Sequence, residues 1–240
     1  MRFKDIMKKL IYGDLATGET FLDSLRRKGA CIGEGTTLFC SPRDCLIDSQ
    51  NPYLLTIGKN VQITHGVVML THDYSWSVIK GRFGEVCGGQ FPLTVGNNVF
   101  IGMNAVLLGG TIVGDDCVIG AGSVVKGVIP SGVVVAGNPA RIICTIDEYH
   151  DKRRASQRDE AYEVYRRWHK RYGARPSREV FREYFWLFES ALTELPSEFV
   201  EVNGYVDPFL TERMFADWIP EFDGFEAFEN YCLSRMSIED

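Results

Sequence analysis

Histidine is the residue type in this sequence best suited to acid–base chemistry, because an imidazole with a pKa of about 6.5 accepts and releases protons at neutral pH. The sequence contains His65, His72, His150 and His169. We select His72 as the candidate general base, because Asp73 follows it and a regular sequence pattern is interrupted there. Asp73, or another acceptor, is expected to orient the ring and stabilise the imidazolium. The alternative is a solvent-facing histidine in a turn.

The interrupted pattern is a recurrence of aliphatic residues at every sixth position. Its unbroken series is Val95, Ile101, Leu107, Val113, Ile119 and Val125. Glycine follows four of the six, and the fifth position of each complete unit has a side chain of modest volume. A period of six fits neither an α-helix nor a simple alternating strand, but it fits short strands joined by tight corners, three to a coil. We therefore predict a parallel β-prism with the aliphatic side chains inside.

The segment that interrupts this pattern is a candidate binding segment. An interruption inside a regular coil must project outward, and long excursions of this kind are often functional. The segment contains aromatic and polar side chains, namely Tyr74, Trp76, Arg82, Phe83, Glu85 and Gln90. The aromatic rings are suited to stacking on a sugar, or else to sealing the loop against a neighbouring subunit. Both interpretations stay open.

Composition excludes several classes of protein. The 240 residues carry a net charge of −6, which argues against nucleic acid as the main partner. No apolar run approaches the length of a membrane span. The stretch Met1–Leu10 has scattered charges where a signal peptide needs an unbroken apolar core, so a cytoplasmic protein is expected.

Composition also divides the chain. Residues 1–145 contain 21 of the 24 glycines, whereas residues 146–240 contain 19 of the 29 aromatic residues and a net charge of −8. We predict an N-terminal segment (1–29), a β-helix domain (30–145) with a projecting loop (73–92), and a C-terminal helical extension (146–240).

In the extension, helices are expected over residues 150–172, over Arg178–Leu195, and from a capping box at Asp223–Glu226 to about Met236. Gly173 is expected to end the first of them. The dense aromatic stripes indicate a packed core. The sharper alternative is a surface for a partner or for the acceptor, and the acidity favours a neutral or cationic partner.

The repeat region resembles a known family. The residues that carry the resemblance are Ile63–Asp73, Pro92–Gly102, Val113–Val125 and Ile129–Arg141. They are similar to the left-handed β-helix acyltransferases with hexapeptide repeats, in the branch of maltose/galactoside and polysaccharide O-acetyltransferases. The resemblance implies a mainly β protein, a left-handed parallel β-helix, assembled as a homotrimer. It also implies acetyl-CoA as cosubstrate, bound with an acceptor hydroxyl in clefts between subunits.

The resemblance also implies roles for residues. The related enzymes carry the catalytic histidine at the root of such a loop, which matches His72. Small residues and an amide would flank the pantetheine arm of CoA, namely Gly102, Asn104, Gly120, Ala121 and Gly122. Two cations, Lys126 and Arg141, would contact the nucleotide phosphates. We expect Tyr74, Trp76 and Arg82 to contact the acceptor.

The function expected on these grounds is O-acetylation of a sugar or polysaccharide precursor by direct attack, with no covalent enzyme intermediate. N-acetylation of an amino sugar or small amine, and a non-enzymatic trimeric scaffold, are the alternatives. A zinc hydrolase or hydratase on the same prism would need three histidines, and only His65 and His72 fall within the repeats. His65 is expected to be structural or to line the cleft, and His150 and His169 to lie on the surface or in packing contacts. No metal is therefore expected.

Overall fold

The structure is a computed structural model that describes residues 10–191, 195–203 and 208–239. Most of the Met1–Leu10 stretch therefore lies outside the described residues. The chain forms two compact units, Met1–Tyr149 and His150–Asp240. The first consists mainly of short β-strands and the second of helices and turns.

The strands of the first unit are mostly two or three residues long. In chain order they are β1 (Cys31–Ile32), β2 (Thr37–Leu38), β3 (Leu46–Ile47), β4 (Leu55–Ile57), β5 (Gln62–Ile63), β6 (Val68–Met69), β7 (His72–Asp73), β8 (Gly89–Gln90), β9 (Leu93–Val95), β10 (Phe100–Ile101), β11 (Val106–Leu107), β12 (Ile112–Val113), β13 (Val118–Ile119), β14 (Val124–Val125), β15 (Val128–Ile129), β16 (Val133–Gly137) and β17 (Ala140–Thr145).

These strands stack into three sheets that form the faces of a prism. Sheet 1 has the order β1-β4-β9-β12-β15, sheet 2 the order β2-β5-β10-β13-β16-β17, and sheet 3 the order β3-β6-β11-β14. Within these sheets the pairs are parallel, except that β17 pairs antiparallel with β16. The chain passes from sheet 1 to sheet 2 to sheet 3 in each coil. We name the corners first edge (sheets 1 and 2), second edge (sheets 2 and 3) and third edge (sheets 3 and 1).

The predicted aliphatic series forms the core of this prism. Each of its six members is the last residue of a strand and is at most 1% exposed. The modest side chains at the fifth positions are equally buried: Val99, Ala105, Thr111, Cys117 and Ser123. The register pairs Ile63 with Ile101 and Ile101 with Ile119, so identical positions lie above one another. The parallel three-sided coil predicted from the period of six is confirmed.

Glycines along the first edge let successive coils approach closely. A Cβ atom on Gly58 would overlap the backbone of Gly96 in the next coil, and one on Gly96 would overlap the backbone of Gly114. The recurrence of glycine after the buried aliphatic residue is thus a packing requirement of stacked backbones.

A helix from the N-terminal segment covers one end of the prism. This helix, α1 (Gly18–Arg27), begins at a capping box between Thr17 and Thr20. It buries Phe21, Leu22 and Leu25 in the same apolar cluster as the first coil. The N-terminal segment therefore shields residues at the open end of the apolar column.

The interruption of the repeats lies on the third edge between β6 and β9. There β7 pairs antiparallel with β8, and the chain between them contains α2 (Trp76–Phe83). None of the residues of α2 is buried, and the helix ends at Gly84 in the left-handed conformation. We call residues 72–91 the arm.

The second unit has its own aromatic core. Its helices are α3 (Ile146–Tyr172), whose first four residues precede His150, α4 (Ser197–Asn203), α5 (Pro208–Ala216) and α6 (Gly224–Glu239). Gly173 follows α3 with a φ of 64°, as expected for a helix end. The helix predicted after Asp223 is present as α6 and runs three residues beyond Met236. The buried rings include Tyr165, Phe181, Phe185, Phe188, Phe199 and Phe228, so the prediction of a packed core is confirmed.

The single helix predicted over Arg178–Leu195 is wrong. The described residues form two short 3-10 turns, Arg178–Phe181 and Phe185–Leu187, and residues 192–194 lie outside the described part of the chain. Aromatic packing overrides the helical period here. Phe185 stacks on Phe199 at 5.2 Å between ring centroids, while Phe188 stacks on Phe228 at 5.5 Å.

Among the helices that the structure describes, none combines the length and the apolar character needed to cross a bilayer.

Replacing Gly58 tests the role of the glycines at the first edge. Gly58→Ala is expected to lower the free energy of unfolding by about 1–3 kcal/mol, because the added methyl group meets fixed backbone of the next coil. Gly81→Ala in α2 is the matched control, since open space surrounds Gly81 and alanine favours a helix by about 1 kcal/mol. Chemical denaturation followed by circular dichroism measures both; equal stability of the two variants would contradict the packing argument.

Candidate active site

His72 lies at the root of the arm, on the third edge of the prism. It is the first residue of β7, only three positions beyond β6. Its side chain is 18% exposed, so one part of the ring is packed and another reaches solvent. Tyr74 packs edge-on against it, with 4.6 Å between ring centroids. The ring is thereby held in one orientation at the surface.

The carboxylate that orients His72 is that of Asp48. Asp48 Oδ2 lies 2.6 Å from His72 Nδ1, and the Asp48 side chain is 1% exposed. We expected Asp73 or another acceptor in this role; the acceptor is Asp48, whereas Asp73 accepts hydrogen bonds from the backbone N–H and the hydroxyl of Ser75. The reason is the alternation of β7: neighbouring residues point to opposite sides of a strand, so the Asp73 side chain diverges from the His72 ring.

Asp48 is a buried carboxylate that is saturated with donors. The Thr71 hydroxyl and backbone N–H donate to Oδ2, and the Gln50 N–H donates to Oδ1 at 2.9 Å. Burial raises the pKa of Asp48, but the hydrogen bonds from Thr71, Gln50 and His72 together outweigh it and hold the pKa below its ordinary value. Asp48 is therefore ionised at neutral pH.

This pair sets the protonation pattern of the imidazole. An ionised Asp48 requires a proton on His72 Nδ1, which leaves Nε2 as the basic nitrogen. The same carboxylate stabilises the imidazolium that forms when Nε2 accepts a proton. The arrangement is thus an imidazole with its orienting carboxylate, a geometry suited to general-base chemistry.

Two cavities of different character meet at His72, Asp73 and Tyr74. The polar cavity has a volume of about 340 Å³ and is otherwise lined by Gln50, Asn51, Trp76, Gly88, Gly89 and Gln90. The apolar cavity, of about 670 Å³, is otherwise lined by Leu70, Phe91, Leu108, Gly109, Gly110, Lys126 and Gly127. The His72 imidazole therefore borders both cavities, one with mainly polar lining side chains and the other with mainly apolar ones.

The structure brings only some of the predicted site residues together. Tyr74 and Trp76 line the polar cavity, and Lys126 lines the apolar one. Arg82 does not line either cavity; its guanidinium lies 5.4 Å from the centre of the Phe83 ring.

The remaining cofactor candidates lie elsewhere on the prism. Five of them, Gly102, Asn104, Gly120, Ala121 and Gly122, fall on the second edge, between the strands of sheets 2 and 3. Arg141 lies in β17, and its guanidinium donates to the carbonyl of Ala140. Within one subunit, these six residues do not share the edge of His72.

Sequence reasoning missed Asp48, Gln50 and Asn51. They follow β3 in the coil below the arm, and they reach His72 only because β3 pairs with β6. The one available signal was an acidic residue directly after the inward-facing Ile47, where the other coils of sheet 3 carry Leu70, Leu108 and Lys126.

Comparison with known proteins agrees with this fold. Residues 92–127 match the bacterial transferase hexapeptide family (six repeats). Protein CapG of Staphylococcus aureus is 36% identical over 130 residues, which cover 54% of this chain and 74% of CapG. Galactoside O-acetyltransferase of Escherichia coli strain K12 is 42% identical over 120 residues, 50% of this chain and 57% of that enzyme.

A solved structure is similar as well. The crystal structure of a maltose O-acetyltransferase from Clostridium difficile 630 aligns with 60% of this chain and 84% of its own, at 25% identity and a TM-score of 0.42.

The repeats and the relatives that they match define a hexapeptide-repeat acyltransferase. The chain belongs to the bacterial hexapeptide transferase family, and its three parallel sheets are accordingly a left-handed β-helix. The helical unit extends this domain on the C-terminal side.

Asp48→Asn tests the charge of the buried carboxylate. The pKa of Asp48 is lower in the folded chain than the value of about 3.9 in an unfolded one, so the carboxylate stabilises the fold above about pH 4 and this contribution is lost as the pH falls through the folded pKa. The free energy of unfolding of the wild type is expected to exceed that of the variant by about 1.5–3 kcal/mol at neutral pH. In acid the difference should be smaller.

Denaturant unfolding at a series of pH values measures this difference. The control is Glu85→Gln, which removes an exposed carboxylate of the arm that has no ion-pair partner among the described residues. If the difference in unfolding free energy between wild type and Asp48→Asn stays constant or grows as the pH falls, Asp48 is not ionised in the folded protein.

Proposed function

We propose that the protein transfers an acetyl group from acetyl-CoA to a hydroxyl of a sugar or polysaccharide precursor, by direct attack. The observation that carries the proposal is the His72–Asp48 pair, with 2.6 Å between Nδ1 and Oδ2, at the junction of two unlike cavities. The membership of the hexapeptide transferases supports acetyl transfer as the reaction class.

In the proposed reaction His72 acts first as base and then as acid. Nε2 removes the proton of the acceptor hydroxyl while its oxygen attacks the thioester carbonyl carbon. The tetrahedral intermediate collapses with cleavage of the carbon–sulfur bond, and the thiolate of CoA takes the proton from Nε2. Asp48 stabilises the imidazolium between these two steps. The products are the acetyl ester and CoA, and no acyl group is attached to the protein.

We assign the apolar cavity to the thioester and the polar cavity to the acceptor. The backbone beside Gly109, Gly110 and Gly127 leaves room for the narrow, amide-rich pantetheine chain of CoA. Lys126 supplies a cation for a phosphate of CoA. Hydroxyl groups need hydrogen-bonding partners, which Gln50 and Asn51 provide on the other side.

Assembly as a homotrimer completes this proposal. In the trimer, CoA would lie in a cleft between two subunits. One subunit would contribute His72, and its neighbour would contribute the five second-edge residues Gly102, Asn104, Gly120, Ala121 and Gly122. The outward positions of sheet 3 support such contact, because they form an aliphatic column in register: Leu46, Val68, Val106 and Val124. Leu46 is 52% exposed in the single chain, and an aliphatic column of this kind favours burial against another subunit.

Removal of the base tests the mechanism. His72→Ala is expected to lower kcat by about 10²–10⁴-fold, because no other described side chain replaces Nε2, while the Kd of CoA changes little. Release of CoA measures turnover, and calorimetry measures CoA binding. The control is His150→Ala in the helical unit, which should leave both unchanged. Near-normal turnover of His72→Ala would refute the role of His72, and an absence of stoichiometric CoA binding to the wild type would favour a scaffold.

A charge on the aliphatic column tests the trimer. Val106→Glu places a carboxylate on the outer face of sheet 3, where burial without a partner is costly, so the variant is expected to sediment as a monomer. Gln62→Glu is the matched control, because it adds the same charge at an outward position of sheet 2. Analytical ultracentrifugation distinguishes the two; a trimeric Val106→Glu would show that sheet 3 does not form the interface.

A further inference from the structure

Thr71, the residue directly before the arm, carries a buried hydroxyl that bonds to the orienting carboxylate. The residue is 0% exposed, and its hydroxyl and backbone N–H both donate to Asp48 Oδ2, the N–H over 3.1 Å. An ionised carboxylate has no proton to give, so the hydroxyl is the donor. Among the residues that the structure describes, this hydroxyl has no other hydrogen-bond partner. A buried hydroxyl is costly unless it is bonded, so the contact with Asp48 explains a polar side chain at this position.

Asp48 Oδ2 is shared between the Thr71 hydroxyl and the His72 ring. The distance from Oδ2 to His72 Nδ1 is 2.6 Å, whereas Oδ1 receives the Gln50 N–H. Two successive residues, Thr71 and His72, thus place three donors on one oxygen. Donors on the same oxygen compete for its negative charge, so the hydroxyl weakens the pull of Oδ2 on the Nδ1 proton.

The same hydroxyl stabilises the charged form of Asp48. Burial is the largest influence on this carboxyl and raises its pKa, while the hydrogen bond from the Thr71 hydroxyl is the largest of the contributions that lower it. The net pKa lies below the ordinary value. Without the hydroxyl, the backbone donors of Thr71 and Gln50 and the His72 ring remain. Asp48 would then stay ionised at neutral pH but would be a stronger proton acceptor.

The other charged or titratable side chains around His72 do not reach this oxygen. Asp73, Tyr74 and Lys126 line the same cavities as the ring. Asp73 and Lys126 are exposed, so water screens their charges. The Tyr74 hydroxyl donates to Gln50 Oε1 at 2.8 Å. A change at Thr71 therefore acts on the ring through Asp48.

We propose that Thr71 is a positioning residue of the site, whose hydroxyl holds Asp48 Oδ2 toward His72 Nδ1 and takes part of its charge. In this way it sets the lowest pH at which Nε2 is free to accept a proton. The inference rests on the proposed function for the role of His72 as base. It adds a buried residue that touches neither reactant but controls the pH range of the reaction.

The titration of the His72 ring tests the proposal without any acetyl transfer. Thr71→Val keeps the volume and removes the donor, so Oδ2 should hold the Nδ1 proton more strongly and the imidazolium should form at higher pH. NMR of the His72 Cε1–H in the full-length protein measures the midpoint. It is expected to rise by at least about 0.5 pH unit, or about threefold in proton affinity. Thr71→Ser keeps the hydroxyl and should stay within about 0.2 pH unit of wild type.

Thr111→Val is the matched control, on the third edge of the next coil. Thr111 is also 0% exposed, but its hydroxyl donates to the carbonyl of Val125 at 3.1 Å. The variant loses a buried hydroxyl without altering Asp48, so its stability should fall while the His72 midpoint stays unchanged. Thr71→Val in an Asp48→Asn background should likewise leave the midpoint unchanged, because no carboxylate charge remains to be shared.

The pH profile of turnover relates the ring to the reaction. With a panel of methyl glycosides as acceptors, the acid limb of kcat/KM for CoA release should move in Thr71→Val as far as the ring titration does. At the plateau, kcat should fall by at least about threefold, because Asp48 is held less firmly, while the KM of acetyl-CoA changes by less than about twofold.

An unchanged or lower midpoint in Thr71→Val would overturn the inference, whatever the loss of stability. If that variant does not fold, Thr71→Ala also lacks the hydroxyl, adds no larger group, and gives the same measurement. A raised midpoint without CoA release from any acceptor would support the coupling of Thr71 to the ring and defeat the proposed function. Normal turnover with an unmoved acid limb would defeat the role of Thr71 alone.

Discussion

The stacking register between coils is the constraint on which the site depends. The strands of the repeated coils, β1 to β6 and β9 to β16, pair in parallel with those of the next coil, and Ile47 lies opposite Met69. This register places Asp48 beside the start of the arm and brings its Oδ2 to His72 Nδ1, although the two residues are 24 positions apart. A slip of one residue would turn every inward side chain outward and would separate the pair, so the buried column that fixes the register also fixes the chemistry.

The fold was predictable where its determinants are periodic, and the site only where a residue marks a break in the period. Val95 to Val125 identify the inward positions, and His72 stands at the interruption. Asp48 was not predictable, because it follows a short strand in a coil with an irregular corner, and its partner is set by stacking between coils. In the helical unit, four residues of the stripe from Val180 to Phe188 are buried, namely Phe181, Phe185, Leu187 and Phe188, but aromatic packing across the core decided their backbone.

Two carboxylates next to one imidazole illustrate how environment separates roles. Asp48 is buried, accepts from Thr71, Gln50 and His72, and has no capacity left for a ligand. Asp73 is exposed, its carboxylate accepts only from Ser75 among the residues that the structure describes, and it lines both cavities. A saturated carboxylate can orient a ring, whereas an unsaturated one can meet a substrate. The sequence neighbour of the histidine is therefore the less suitable partner for it.

The division of the predicted cofactor residues between two edges bears on the proposed assembly. Sheet 3 is bounded by the second edge, which carries Gly102 and Gly120, and by the third edge, which carries His72 and Lys126. A neighbour that covers the aliphatic column of sheet 3 lies alongside both edges. Rotational symmetry then sets the second edge of one subunit near the third edge of another, a cleft that no single prism can form because its own edges are separated by a face. A requirement for assembly in catalysis follows from this geometry if the cofactor residues act as the resemblance implies.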